Sequence, residues 1–257
     1  MSRRLAALLP WTLALALPAC AGRGAPCAPL PDPAELTPTE TLLVMEGEGG
    51  EPMRLVLNSI PAGDAFLRLK SKPVDPADPV IAHLVERMLA TVQAEGGVGI
   101  AAPQVGLSRR AVIVKRLDVE PEKPYRVYLN PRITSMSATT VVDWEGCLSI
   151  PAGFGKVSRA DTIDIVFDTP DGKTAAETVA GFTARIFQHE IDHLEGILFI
   201  DRKEAGPLVP EDEYRKMKEK EKQKEQPEEA PPAGQTALRM GSPCADTTML
   251  RPLFLAA

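Results

Sequence analysis

Two histidines four residues apart flank a glutamate in Gln188-His189-Glu190-Ile191-Asp192-His193. On a helix, residues at that spacing share a face, so both imidazoles can reach one metal ion. Glu190, next to the first ligand, can touch a water on that metal without ligating it. This is the His-Glu-x-x-His arrangement of zinc hydrolases. A buried histidine pair satisfied by backbone groups gives the same pattern, so the motif needs support from elsewhere in the chain.

A catalytic metal needs a third protein ligand and an open position. The remaining histidine, His83, lies among Glu86, Arg87 and Ala90 and reads as a solvated surface residue on the polar face of a helix. Cys20, Cys27 and Cys244 lie in flanks that lack a core. That leaves Cys147, in Glu145-Gly146-Cys147-Leu148-Ser149, as the candidate. Its glycine neighbour and its place between strands favour a loop where backbone approaches a ligand. A small buried hydrophobe is the other reading of a free cysteine. A third segment, Gly97-Val98-Gly99-Ile100-Ala101-Ala102-Pro103-Gln104, has small residues that allow close backbone approach, and Gln104 supplies an amide N–H. It does not fit the Gly-x-Gly-x-x-Gly phosphate loop, and no strand clearly precedes it. A packed small-residue turn is its alternative.

The elements that must hold these residues are legible in part. Asp78-Pro79 opens a helix, with Asp as N-cap and Pro at the first helical position. Val80, Ile81, Leu84, Val85, Met88, Leu89 and Val92 repeat every 3.6 residues, and Gly96-Gly97 ends the run. Residues 111–115, 126–129 and, more weakly, 139–142 read as strands. Thr162 to Phe167 alternates with period two, and Pro170-Asp171-Gly172 turns it into a hairpin with Thr174 to Val179. Gly181 opens a second helix through Leu194, stopped by Gly196, with Ile186, Phe187, Ile191 and Leu194 on its buried side. Short antiparallel strands packed around a central metal-binding helix make an α+β fold.

Taken in order, Gly-x-Gly-Ile-Ala-Ala-Pro-Gln, Glu-Gly-Cys-Leu-Ser and Gln-His-Glu-x-Asp-His-Leu-x-Gly resemble the three motifs of peptide deformylases, over about residues 53 to 202. The resemblance implies removal of the formyl group from N-formylmethionyl peptides or nascent polypeptides, with release of formate. It implies one divalent ion per chain, Fe²⁺ foremost and Zn²⁺, Ni²⁺ or Co²⁺ as substitutes, held by Cys147, His189 and His193. Glu190 would be the general acid/base. Gln104 and the Leu148 backbone N–H would polarise the formyl oxygen, and Gly99 and its neighbour Val98 would meet the substrate backbone. Asp192 and Gln188 are candidates for orienting the ligands, and Glu145 for pairing with Arg159 or Arg185. The chain departs from the family at Pro61 to Arg68, which fits its early region only loosely. It departs again at Phe154, where some members carry a basic residue. Two other functions compete: a His-Glu-x-x-His metallopeptidase, and an envelope protein that binds formyl peptides without turnover. The cysteine argues against the first and Glu190 against the second.

The flanks differ from this middle. Arg3-Arg4, an apolar stretch to Leu17 and Leu17-Pro18-Ala19-Cys20 have the parts of a lipoprotein signal over residues 1–20. They imply export, a lipid anchor through Cys20 and an envelope location. The alternative is a cytoplasmic protein starting at Met45 or Met53. Residues 21–52 read as a linker, 203–226 as a charged helix or tail, and 227–257 as a disordered tail. No apolar run reaches the 18 residues that suggest a transmembrane helix. With 29 basic against 35 acidic residues, net charge −6, phosphate neutralisation gives no basis for nucleic-acid binding.

Overall fold

The computed structural model describes residues 32–225. In chain order the elements are α1 (Pro38–Met45), α2 (Pro61–Leu67), α3 (Pro79–Ala94), β1 (Gly99–Ala101), a 3-10 turn (Ala102–Val105), β2 (Ala111–Lys115), β3 (Tyr125–Met136), β4 (Thr140–Cys147), β5 (Ile150–Ala160), β6 (Thr162–Asp168), β7 (Thr174–Ala180), α4 (Gly181–Leu194), α5 (Phe199–Arg202) and α6 (Glu211–Glu225). Five strands form an antiparallel sheet in the order β1-β2-β3-β6-β7, and β4 and β5 pair as a separate hairpin. The fold is α+β.

Local chemistry explains the elements that position the site. Asp78 caps α3 by accepting the Val80 N–H at 2.8 Å. The apolar stripe of α3 packs with Ile100, Val105, Ile113 and Leu129. The opposite face of the sheet supplies Val112, Val114, Tyr128, Ile163 and Ile165, which pack against Ile186, Phe187 and Leu194 of α4. α4 is buried all round, with every residue from Thr183 to Leu194 buried. The apolar periodicity predicts burial of one side only. The polar side is buried as well because the β4–β5 hairpin covers it. Arg185 donates to the Val157 carbonyl at 2.9 Å, and the Gln188 amide exchanges two bonds with the Ala160 backbone.

Two expectations change. Within the stretch expected to be a linker, residues 32–52, α1 is a capped helix. Thr37 and Glu40 form a capping box at its start, and Leu36 and Val44 are buried. The reason lies in α3 and the loop before β2, which carry charges that need partners. Arg87 donates to the carbonyls of Val44 at 2.8 Å, and of Leu43 and Glu51 at 3.2 Å. His83 bonds the Gly47 carbonyl at 2.8 Å. The face of α3 expected to be solvated is therefore covered, and Arg87 is buried. Residues 1–31 and 226–257, which hold the signal-like segment and the expected disordered tail, lie outside the described residues.

The second change is β5, which the sequence did not suggest. Ile150-Pro151-Ala152-Gly153-Phe154-Gly155 reads as loop, yet it pairs with β4 from Ala160 back to Ile150. Phe154 exchanges backbone hydrogen bonds with Val209, both at 2.8 Å, and this tightens the approach. At Gly153, φ is +130° and a Cβ would lie 2.2 Å from the Val209 carbonyl oxygen, so only glycine fits. Among the described residues, no helix is long and apolar enough to cross a membrane.

Candidate metal centre

Cys147 ends β4, and His189 and His193 lie one turn apart on α4. Their ligand atoms all fall within 4.8 Å of one another, and all three residues are buried. His193 Nε2 is 3.3 Å from Cys147 Sγ. His189 Nδ1 lies 2.9 Å from the Glu145 carboxylate, so its N–H donates there and Nε2 keeps its lone pair. That Nε2 has no partner, although it is buried. A buried imidazole nitrogen without a partner, facing a thiol and a second imidazole, suits a bound cation of the borderline-soft kind.

Glu190 is fully buried, and neither carboxylate oxygen has a hydrogen-bond partner. It lies against β1: a Cβ on Gly99 would stand 2.2 Å from Glu190 Oε1. A side chain at Gly99 would displace the Glu190 carboxylate from its place. Val98, expected beside the substrate, puts its side chain in the core, and its carbonyl accepts the Lys115 N–H at 2.7 Å. Gln104 is buried in the 3-10 turn. Its Oε1 accepts the Ala101 N–H at 2.8 Å, and its Nε2 points at Cys147 Sγ, 3.5 Å away. The fixed carbonyl end aims the amide N–H₂ at the centre. Leu148 follows Cys147 directly and lines a cleft that opens beside the sulfur.

Behind the histidines lies a buried ionic network. Glu145 accepts Arg159 in a fork at 2.9 Å on each oxygen, Arg185 at 2.8 Å and the His189 N–H. Both arginines named as possible partners of Glu145 are partners at once. Arg159 also reaches Asp192, which accepts a second fork from Arg202 at 2.6 and 2.7 Å. Asp192 is therefore a buried hub. It supports Arg159 rather than touching a ligand. Gln188 is spent on the Ala160 and Ala184 backbone and orients neither histidine. Arg202 carried no signal in the sequence, because it joins from α5 through a turn that periodicity does not reveal.

The electrostatics follow from burial. Burial lowers the pKa of both imidazoles, against the pull of Glu145 on His189, so they are neutral and ready to ligate. Burial also pushes the Cys147 thiol up, and a cation at the site would reverse that. Glu190 is pushed well above the usual carboxylate range by burial and then by the charge of Glu145. Burial alone would raise Glu145 too, but the bonds from Arg159 and His189 hold it below that range.

A buried Cys-His-His cluster with an unpartnered glutamate beside it, on an α+β scaffold, defines a metal-dependent hydrolase site. The polypeptide deformylase family matches residues 56–206. A peptide deformylase of Desulforudis audaxviator is 42% identical over 139 residues, covering 54% of this chain and 88% of the relative. The crystal structure of peptide deformylase from Thermotoga maritima is 35% identical, with TM-score 0.55, and covers 60% of this chain and 99% of that one. A class I type b peptide deformylase from Acinetobacter baumannii, bound to Met-Ala-Ser, has the same identity, TM-score and coverage. The chain belongs to the peptide deformylase family.

Proposed function

We propose that this chain removes the formyl group from N-formylmethionyl peptides of newly made proteins, releasing formate, and that the residues at the Cys147 centre carry the steps as follows. The observation that carries the proposal is Glu190, fully buried with both oxygens unpartnered beside the Cys-His-His cluster. A protein that only bound formyl peptides would have no use for a buried base.

Cys147, His189 and His193 would hold a divalent ion, for which Fe²⁺ is proposed. When bound, such an ion would make water acidic enough to attack near neutral pH. Water adds to the formyl carbon, and Glu190 takes the proton that water gives up. The C–N bond then breaks, and Glu190 returns that proton to the departing amine nitrogen. The second proton of the water leaves as formic acid ionises and is taken up by the amine, so the products are formate and a protonated N-terminal amine, and atoms and charge balance. With a cation in the centre, the Glu190 carboxyl would be drawn back down from where burial pushes it, so that it can take the proton and give it back. Gln104 Nε2, fixed through Ala101, and the Leu148 backbone N–H would donate to the formyl oxygen as it gains charge. Glu145 fixes the tautomer of His189. Substrate backbone would lie along Val98 and Gly99.

The test is formate release from formyl-Met-Ala-Ser, beside cleavage of unformylated Met-Ala-Ser. Formate without peptide cleavage is the expected result. Cleavage of the unformylated peptide would instead favour a metallopeptidase.

The location proposed is the cell envelope, resting on Arg3-Arg4, the apolar run to Leu17 and Cys20. A start at Met45 or Met53 would remove Glu40 and leave buried Arg109 without its carboxylate partner. Membrane fractionation with sequencing of the mature N-terminus tests this. Soluble protein beginning at either methionine would overturn it.

A further inference from the structure

Gln104 is aimed at the metal centre through its own turn. Its Oε1 accepts the Ala101 N–H at 2.8 Å, so the amide is fixed to the 3-10 turn Ala102–Val105 and not to the ligands it faces. Nε2, 3.5 Å from Cys147 Sγ, is therefore placed only as firmly as the turn itself. Val56 holds one side of the turn by donating its N–H to the Gln104 carbonyl at 2.8 Å. The chain leaves the turn through Gly106, in the left-handed region at φ +90°, and reaches Arg109 three residues later.

Residues before the family-matched domain, which begins at residue 56, grip this exit. The Leu43 side chain of α1 lies against Gly106, where a Cβ would stand 3.3 Å from Leu43 Cδ2. Leu36, Val44 and Met53 belong to the same buried cluster as Ala102 and Val105, which bracket Gln104 in the turn. Glu40 accepts Arg109 at 2.7 Å on each oxygen, and the Pro33 and Glu35 carbonyls accept it at 2.8 and 2.7 Å. Glu40 is tied to the start of α1 as well, accepting the Thr37 N–H at 2.8 Å. One carboxylate thus caps the helix and fastens it to the exit of the turn.

Resting on the deformylase reading, we infer that residues 33–45 are a positioning segment for catalysis: Glu40 and Leu43, acting through Arg109 and Gly106, hold the Gln104 amide where it meets the formyl oxygen. A donor to a developing oxyanion works only when placed beforehand. Removing one costs about 10²–10³ in kcat, and a misplacement of about 1 Å can cost about 10². The segment acts on a group that matters most in the transition state, so its effect falls on kcat and not on KM.

The test measures kcat and KM for formyl-Met-Ala-Ser in Glu40→Gln, Gln104→Ala and the double variant, with metal content measured for each. Glu40→Gln should lower kcat by about tenfold at parental metal content, with KM within about twofold of the parent. In the Gln104→Ala background the same substitution should change kcat by less than about twofold, because the group it positions is gone. Hydrogen exchange should rise across residues 101–109 and stay at the parental level in α4. Leu43→Ala loosens the same exit from a partly exposed side chain and leaves the fork in place. It should give the same pattern with about a threefold fall in kcat, and it decides the matter if Glu40→Gln does not fold. Parental kcat in both single variants, or a fall of equal size with and without Gln104, overturns the inference. Failure of the parent to release formate from formyl-Met-Ala-Ser overturns the underlying function, and this inference with it.

Discussion

Two of the buried arginines in this molecule, Arg159 and Arg109, are held in two different ways. Arg159, behind the metal centre, is held by Glu145 and Asp192, both within the family-matched domain. Arg109, just before β2, has a side chain 1% exposed and takes all but one of its acceptors from outside that domain. Glu40 accepts it in a fork at 2.7 Å on each oxygen, and the carbonyls of Glu35, Pro33 and Pro73 complete its donors at 2.7 to 3.2 Å. The first network orients a ligand. The second clasps residues 33–40 onto the loop that follows Gln104. A buried guanidinium requires acceptors wherever it lies, and here one set comes from chemistry-bearing motifs and the other from a stretch that looks like a spacer.

The largest expected effect separates chemistry from architecture at the first region. Glu190→Gln should keep the bound metal and the fold, while formate release falls by about 10²–10⁴. Loss of metal together with activity would point to a ligating role instead. Next is Arg159→Met, which leaves the Glu145 and Asp192 carboxylates buried without it. Breaking such a pair costs about 3–5 kcal/mol, and metal content should drop as Glu145, the partner of His189, is left with Arg185 alone to fix it. A thermal melt within error of the parent would contradict the network.

At the second region, Glu40→Gln should destabilise by about 1–3 kcal/mol, less than Arg159→Met because Glu40 is 22% exposed and three carbonyls remain. A glutamate-specific protease should then cut within residues 32–52 first, where Glu35, Glu46, Glu48 and Glu51 offer sites. The clasp also has a sign with pH. Bonds from Arg109 hold the Glu40 carboxyl down from 4.5 to about 2. Its contribution is therefore complete above about pH 4.5 and is lost as pH falls towards 2. The stability gap between parent and Glu40→Gln should narrow over that range, since the parent becomes neutral there as well. A gap that is constant from pH 7 to about pH 2.5 would show that the carboxylate charge plays no part. The smallest effect is Tyr214→Leu, which removes the stack on Phe154, worth about 0.5–1.5 kcal/mol. It should raise hydrogen exchange in α6 and leave the metal centre alone.

The same contrast marks what the sequence discloses. His189, His193, Cys147, Glu190 and Gln104 stood out because their types and spacing carry chemistry, and the structure brings all five together. α3, α4 and the β6–β7 hairpin stood out through periodicity, caps and a Pro-Asp-Gly turn. β5 did not, because Pro151, Gly153 and Gly155 are poor strand residues held there by long-range pairing with β4 and Val209. Neither did α1, whose eight residues have little amphipathic pattern and whose stability comes from Arg87 and Arg109 far along the chain. Asp192 and Arg202 carry complementary charges, but nothing in the sequence places α5 against α4.

The most direct test of the central claim is formate release from formyl-Met-Ala-Ser by anaerobically purified protein, measured together with metal content. About one divalent ion per chain, formate release that disappears on metal removal and returns with Fe²⁺, Ni²⁺ or Co²⁺, and no cleavage of Met-Ala-Ser is the expected result. Undiminished formate release from the metal-free protein would contradict it.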